Sequence, residues 1–72
     1  MKYVLQNKDS PSDYAVLQVK SLRIFDDVEV MVVTTDIIKD ATIFSEMTKD
    51  IYLAIVGGIT KESWVIIELE DN

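Results

Sequence analysis

Hydrophobic and polar positions change period twice along this chain. Tyr3-Val4-Leu5-Gln6 and Ala15-Val16-Leu17-Gln18 are similar short runs on either side of the segment NKDSPSD. Asn, Asp, Ser and Pro favour turns through local side-chain hydrogen bonds or a fixed φ, which predicts two strands joined by a loop. Ser10-Pro11-Ser12-Asp13 also has the form of a helix capping box with Pro at the first helical position, so a helix over Tyr14 to Phe25 competes. The β-branched residues Val16, Val19 and Ile24 favour the strand. Asp26-Asp27 then separates two apolar stretches as a two-residue hairpin turn would, without the glycine such turns prefer. From Val28 to Thr34 a period of two places Val28, Val30 and Val32 on one face and Glu29, Met31 and Val33 on the other.

Across DIIKDATIFSEMTKDIYLAIVGG the period lengthens. Ser45 is a good N-cap, because its hydroxyl can accept a hydrogen bond from an unpaired first-turn amide, and Glu46 suits the positive helix end. Met47, Ile51, Ala54 and Ile55 share a face at helical spacing, which predicts a helix from Glu46 to Val56 with that face on the core. Gly57-Gly58, the only glycines of the chain, fall where a left-handed residue commonly ends a helix. KESWVIIELEDN alternates again: Val65, Ile67 and Leu69 are expected under the helix, and Trp64, Ile66, Glu68 and Glu70 on the opposite face. Strands in runs with one late helix predict an α+β fold, an antiparallel sheet of about four strands with one main helix on a face.

With 72 residues, the chain is expected to form one domain, 1–72, of a size that buries only roughly 60% of the surface its unfolded form exposes. It has no cysteine, so apolar packing must hold the fold without disulfide or thiolate–metal staples. Hydrophobic residues make up 49%, a large share for so short a chain, and association into a homo-oligomer is one way to bury them. No apolar run approaches the roughly 20 residues that span a bilayer, and MKYVLQNKDS lacks the apolar core of a signal peptide. A cytoplasmic protein without membrane contact is the expectation. Thirteen acids against seven bases give a net charge of −6, which opposes direct binding to nucleic acid.

Reactive chemistry is sparse. Gly57-Gly58-Ile59-Thr60-Lys61 has the wrong spacing for a phosphate loop and follows the predicted helix instead of opening one. Histidine and cysteine, the usual acid–base and nucleophilic residues near neutral pH, are both absent. The carboxylate pairs Asp26 with Asp27 and Asp36 with Asp40 read as a polar turn and as a solvated loop or first helical turn. Nothing has zinc or calcium-loop spacing, so no catalytic residue, cofactor or metal is expected. Lys2, Lys20, Arg23 and Lys39, with Tyr3 or Tyr14 to stack bases, are too few to outweigh the acids.

Two surface readings remain. Asp26, Asp27, Glu29, Glu68, Glu70 and Asp71 lie on or beside strands that could be neighbours, and such a row would mimic the phosphates of DNA. Trp64 and Ile66, joined by Met31 and Val33, would form an apolar patch on the sheet face away from the helix, unless the segment from Asp36 to Ile43 covers it. The opening KYVLQNK hairpin, the stretch Lys39-Asp40-Ala41-Thr42-Ile43-Phe44-Ser45, a short helix ending in Gly57-Gly58 and a final acidic strand resemble the layout of small uncharacterised phage and prophage accessory proteins. The hydrophobic stretch before Asp36 is longer than that pattern. The resemblance carries over no activity; it implies a phage-type genetic setting, in which accessory proteins often act by binding a host protein. Together with the charge and the missing catalytic residues it leads to the expectation of a non-enzymatic protein-binding accessory protein, for example an inhibitor of host defence. Trp64, Ile66, Met31, Val33, Glu29, Glu68 and Glu70 are the expected partner-binding residues. The alternative is an oligomer that sequesters a small ligand in a subunit-interface pocket built from Lys61, Arg23 and tyrosines.

Overall fold

The first strand, β1 (Lys2–Asn7), becomes the axis of an antiparallel sheet in the computed structural model, which describes residues 1–22 and 27–70. Along one side β1 pairs over its whole length with the last strand, β5 (Trp64–Leu69), setting Val4 opposite Ile67 and Leu5 opposite Ile66. The other side is shared. Gln6 faces Tyr14 of β2 (Tyr14–Leu22), while Lys2 and Tyr3 face Ser45 and Phe44 of a short β4 (Phe44–Ser45). β3 (Asp27–Thr35) pairs with β2 alone, from Tyr14 opposite Thr35 to Leu22 opposite Asp27. A 3-10 turn at Ile38–Asp40 precedes β4, and α1 (Lys49–Thr60) lies between β4 and β5 in the chain. The α+β expectation therefore holds.

The β1–β2 loop shows why Ser10-Pro11-Ser12-Asp13 does not open a helix. Asn7 is buried, and its side-chain carbonyl accepts the backbone N–H groups of Asp9 and Ser10, both at 2.9 Å. The Asn7 backbone N–H in turn donates to Asp13 O at 2.9 Å, so the loop is closed by an Asx turn and β2 begins directly after it. β2 then parts from β1, and the chain from Thr42 to Ser45 fills the split. Thr42 N donates to Ala15 O at 3.1 Å, and the Thr42 hydroxyl accepts from Leu17 N at 2.8 Å. Asp27 pairs with Leu22 as a strand residue, so it is not half of the expected two-residue turn at Asp26-Asp27; residues 23–26, Arg23 and Asp26 among them, and also Asp71, lie outside the described ones.

Leu5, Ala15, Phe44, Val56 and Trp64 form the core between sheet and helix, with Leu17, Val32, Tyr52, Leu53 and Ile66 packed around them. Burying an aliphatic side chain of this size stabilises by about 1.5–3 kcal/mol, so a core of ten residues is a modest one. Val4, on the opposite side of β1 from Leu5, is also fully buried, and Ala41 in the segment before β4 is buried too. The second sheet face is therefore covered at its centre.

Three expectations are corrected. β5 alternates as predicted, but its phase is reversed: Trp64 and Ile66 face the helix, while Val65, Ile67 and Leu69 lie on the other face. Its first four residues are all apolar, so alternation cannot choose a face, and the larger indole takes the helix side. The indole N–H donates to the Thr60 hydroxyl at 2.9 Å, which donates to Val56 O at 2.8 Å and so ties the helix end to β5. The helix also runs later than predicted. Ser45 is a strand residue, Glu46 to Thr48 form a turn in which the Thr48 hydroxyl accepts from Ser45 N at 3.2 Å, and Thr48 is the N-cap. Finally, Gly57 and Gly58 lie inside α1 with no positive φ; the left-handed residue is Lys61, at φ 59°, whose N–H reaches Gly57 O at 2.9 Å. Two interior glycines cost about 1 kcal/mol each against alanine, and the Thr60 hydrogen bonds offset part of that.

Candidate functional site

The seven predicted binding residues do not come together. Trp64 is buried in the core and Ile66 packs against it. Met31 and Val33 lie across from Gln18 and Val16, on the face of β2 and β3 turned away from the one that Leu17 and Val32 give to the core. Glu29 is on β3 while Glu68 is on β5 and Glu70 just beyond it; β2 and β1 separate the two strands, so the acids do not form one row. Glu29, Glu68 and Glu70 are each exposed. Lys61, offered as part of a ligand pocket, caps the C-terminal end of α1.

What the fold assembles instead is an apolar surface on the outside of α1. The inner side of the helix carries Tyr52, Leu53 and Val56, one or two positions away from the residues expected there. Met47, Ile51 and Ile55 are turned outward with Ile59, and their exposures are 89%, 60%, 38% and 45%. Four-residue spacing places Ile51, Ile55 and Ile59 in a single row on α1, and Met47 precedes them in the turn before it. Ala54 and Gly58 beside them are exposed as well. Between Asp50 and Lys61 the helix has no charged residue on any side. A helix that is apolar all round is ordinarily a buried one, yet this one meets the rest of its own chain along one side only.

A separate groove of ≈240 Å³ lies between β2 and the helix entry, lined by Leu17, Val19, Ile43, Phe44 and Tyr52 together with the Thr42 and Thr48 hydroxyl-bearing side chains. Val19 and Ile43 on its rim are 66% and 50% exposed. The rings of Phe44 and Tyr52 form its floor, 5.1 Å apart and tilted by 32°.

At the other end of β4 a polar cluster anchors the turn before α1. The Tyr3 hydroxyl donates to Glu46, and the Lys49 ammonium lies 5.5 Å from the Tyr3 ring centre and 3.5 Å from Glu46. The hydrogen bond to Glu46, burial and the charges of Glu46 and Glu68 push the Tyr3 phenol up to about 12. That same hydrogen bond, with Lys49 nearby, holds the Glu46 carboxyl below its usual range. Lys49 is raised, chiefly by its hydrogen bond to Asp50. Each shift keeps the group in its ordinary charge state at neutral pH, so the cluster acts as a clamp between β1 and the helix entry. No group of three acidic residues positioned to hold a metal occurs among the described residues, and no helix there is long and apolar enough to cross a membrane.

The outward row was visible in the sequence as a periodic pattern; what the pattern did not carry was its direction. Comparison of the chain with models of protein families, with curated proteins and with solved structures finds no match in any of the three.

Proposed function

We propose that this chain is a non-enzymatic protein-binding module and that the outer face of α1 is its docking surface. One observation carries the reading: Ile51, Ile55 and Ile59 form an exposed apolar row on a helix that has no charge between Asp50 and Lys61, and Met47 stands exposed in the turn that leads into it. Scattered exposed hydrophobics are normal on a monomer, whereas a contiguous row marks a contact surface. Isoleucine and methionine side chains on a preformed helix also give contact area with little ordering cost, as in helix-in-groove recognition. The absence of histidine and cysteine and the ordinary charge states of Tyr3, Glu46 and Lys49 agree with binding rather than turnover. The resemblance of the layout to phage and prophage accessory proteins supports a setting in which the bound protein belongs to a bacterial host.

The test compares wild type with Ile55→Glu. Circular dichroism establishes that both fold, and each is then used to capture proteins from a bacterial lysate. A captured protein is purified and its affinity for both forms measured. The proposal expects at least a tenfold weaker complex with Ile55→Glu, because a carboxylate is then buried without a partner. Equal affinity for both forms overturns the outer face as the docking surface.

A further inference from the structure

We infer that, when no other protein occupies it, the outer face of α1 pairs with a second copy of this chain, its helix antiparallel to the first across a two-fold axis; this rests on the docking reading above. Two adjacent rows supply a self-complementary shape. Ile51, Ile55 and Ile59 stand up as a ridge, with Met47 exposed in the turn before it. Asp50, Ala54 and Gly58 make the next row at the same spacing, and its small residues leave a furrow, where a Cβ added at Gly58 meets nothing within 4 Å. Rows of four-residue spacing are those that most often interdigitate when helices pack, the ridge of each in the furrow of the other. A two-fold axis makes the fit reciprocal, since each copy brings both halves of it.

Charge sets the direction. The furrow is bracketed by Asp50 at the start of α1 and Lys61 at its end, both exposed. Asp50 and Lys61 thus stand at opposite ends of the helix, about 16 Å apart along its axis. In an antiparallel pair Asp50 of each copy meets Lys61 of the other, at both ends of the contact. A parallel pair sets like charges together. Lys61 has no ion-pair partner among the described residues, and Asp50 has only its neighbour Lys49, at 3.2 Å. Antiparallel helices also bring opposite dipole ends together.

Area agrees with a weak to moderate dimer. At these exposures the face offers on the order of 500 Å², near the upper end of what a monomer leaves in water. Two such faces bury about 1,000 Å², the low end for a specific interface. The net charge of −6 on each chain opposes association, and the charge-free stretch between Asp50 and Lys61 is where two copies meet with least repulsion.

Light scattering and sedimentation equilibrium from about 10 µM to about 1 mM test this, since mass action populates a weak dimer as concentration rises. Wild type is expected to rise from 8.2 kDa toward twice that mass. Ile55→Glu is expected to remain monomeric and folded. Lys61→Glu and Asp50→Lys are each expected to weaken the dimer at least threefold, and the double variant to recover it, which a parallel pairing does not do. Wild type that stays at 8.2 kDa overturns the second copy as occupant, while the docking reading then stands or falls on the captured-protein affinities. A dimer insensitive to Ile55→Glu overturns the helix as its site, and one insensitive to both charge changes overturns the antiparallel order.

Discussion

The inner and outer sides of α1 have nearly the same chemistry and opposite fates. Inside lie Tyr52, Leu53 and Val56; outside lie Ile51, Ile55 and Ile59. Neither composition nor period separates them, since both rows are apolar and both recur every three or four residues. The inner row is set by tertiary partners. Thr60, on the Val56 side, takes the indole N–H of Trp64, and Tyr52 packs on Phe44. Polar groups with few partners thus orient the helix, and the apolar side chains follow. A charged outer face would have declared itself in the sequence. Its lack of charge is both why the orientation was misread and why the surface attracts a functional reading.

Changes at the indole break the comparison most strongly. Trp64→Ala removes a core side chain and is expected to cost about 3–5 kcal/mol, a large part of the ~5–15 kcal/mol that holds a domain together. Trp64→Phe keeps most of the apolar volume and loses the bond to Thr60, so about 1 kcal/mol is expected. Chemical denaturation followed by circular dichroism reads both. Were Trp64 on a surface face, the two would be close to neutral.

Gly58→Ala sharpens the difference from the other side. The site is helical, has no positive φ and is open to solvent, so the methyl group is expected to stabilise the folded monomer by about 0.5–1 kcal/mol. A thermal melt at low concentration measures it. A helix-stopping glycine would respond with a loss instead.

The smallest effect concerns the clamp at the helix entry. Glu46 titrates lower in the folded chain than in the unfolded one, so its contribution is present above the normal carboxylate range and is lost as pH falls through its folded value. Tyr3 is raised to about 12, so its contribution is complete below the unfolded phenol value of 10.0 and fades as pH rises from there toward 12. Denaturation midpoints of wild type and Glu46→Gln should therefore converge at low pH and separate at neutral pH. Parallel curves at all pH values would rule the clamp out.

Local chemistry was legible where one side chain decides a conformation. NKDSPSD announces its turn because Asn7 can close it alone, and the α+β order follows from the succession of periods. Phase was not legible where both faces are apolar, as in Trp64-Val65-Ile66-Ile67 and along α1. Helix ends were misplaced because Ser45 spends its amide and hydroxyl on Thr48, and because Lys61 accepts the left-handed position next to glycines that do not use it. The outward direction of the apolar row escapes the sequence for the same reason as the phase: Met47, Ile51 and Ile55 share a period, but the period does not say which side faces the core.

Val56→Glu and Ile55→Glu, neighbours in sequence, test that assignment most directly in one far-UV circular dichroism melt at about 5 µM, where association is minor. Val56 is fully buried and Ile55 is 38% exposed. The orientation described here predicts that Val56→Glu fails to fold while Ile55→Glu melts within about 1 kcal/mol of wild type. A folded Val56→Glu beside an unfolded Ile55→Glu would contradict it.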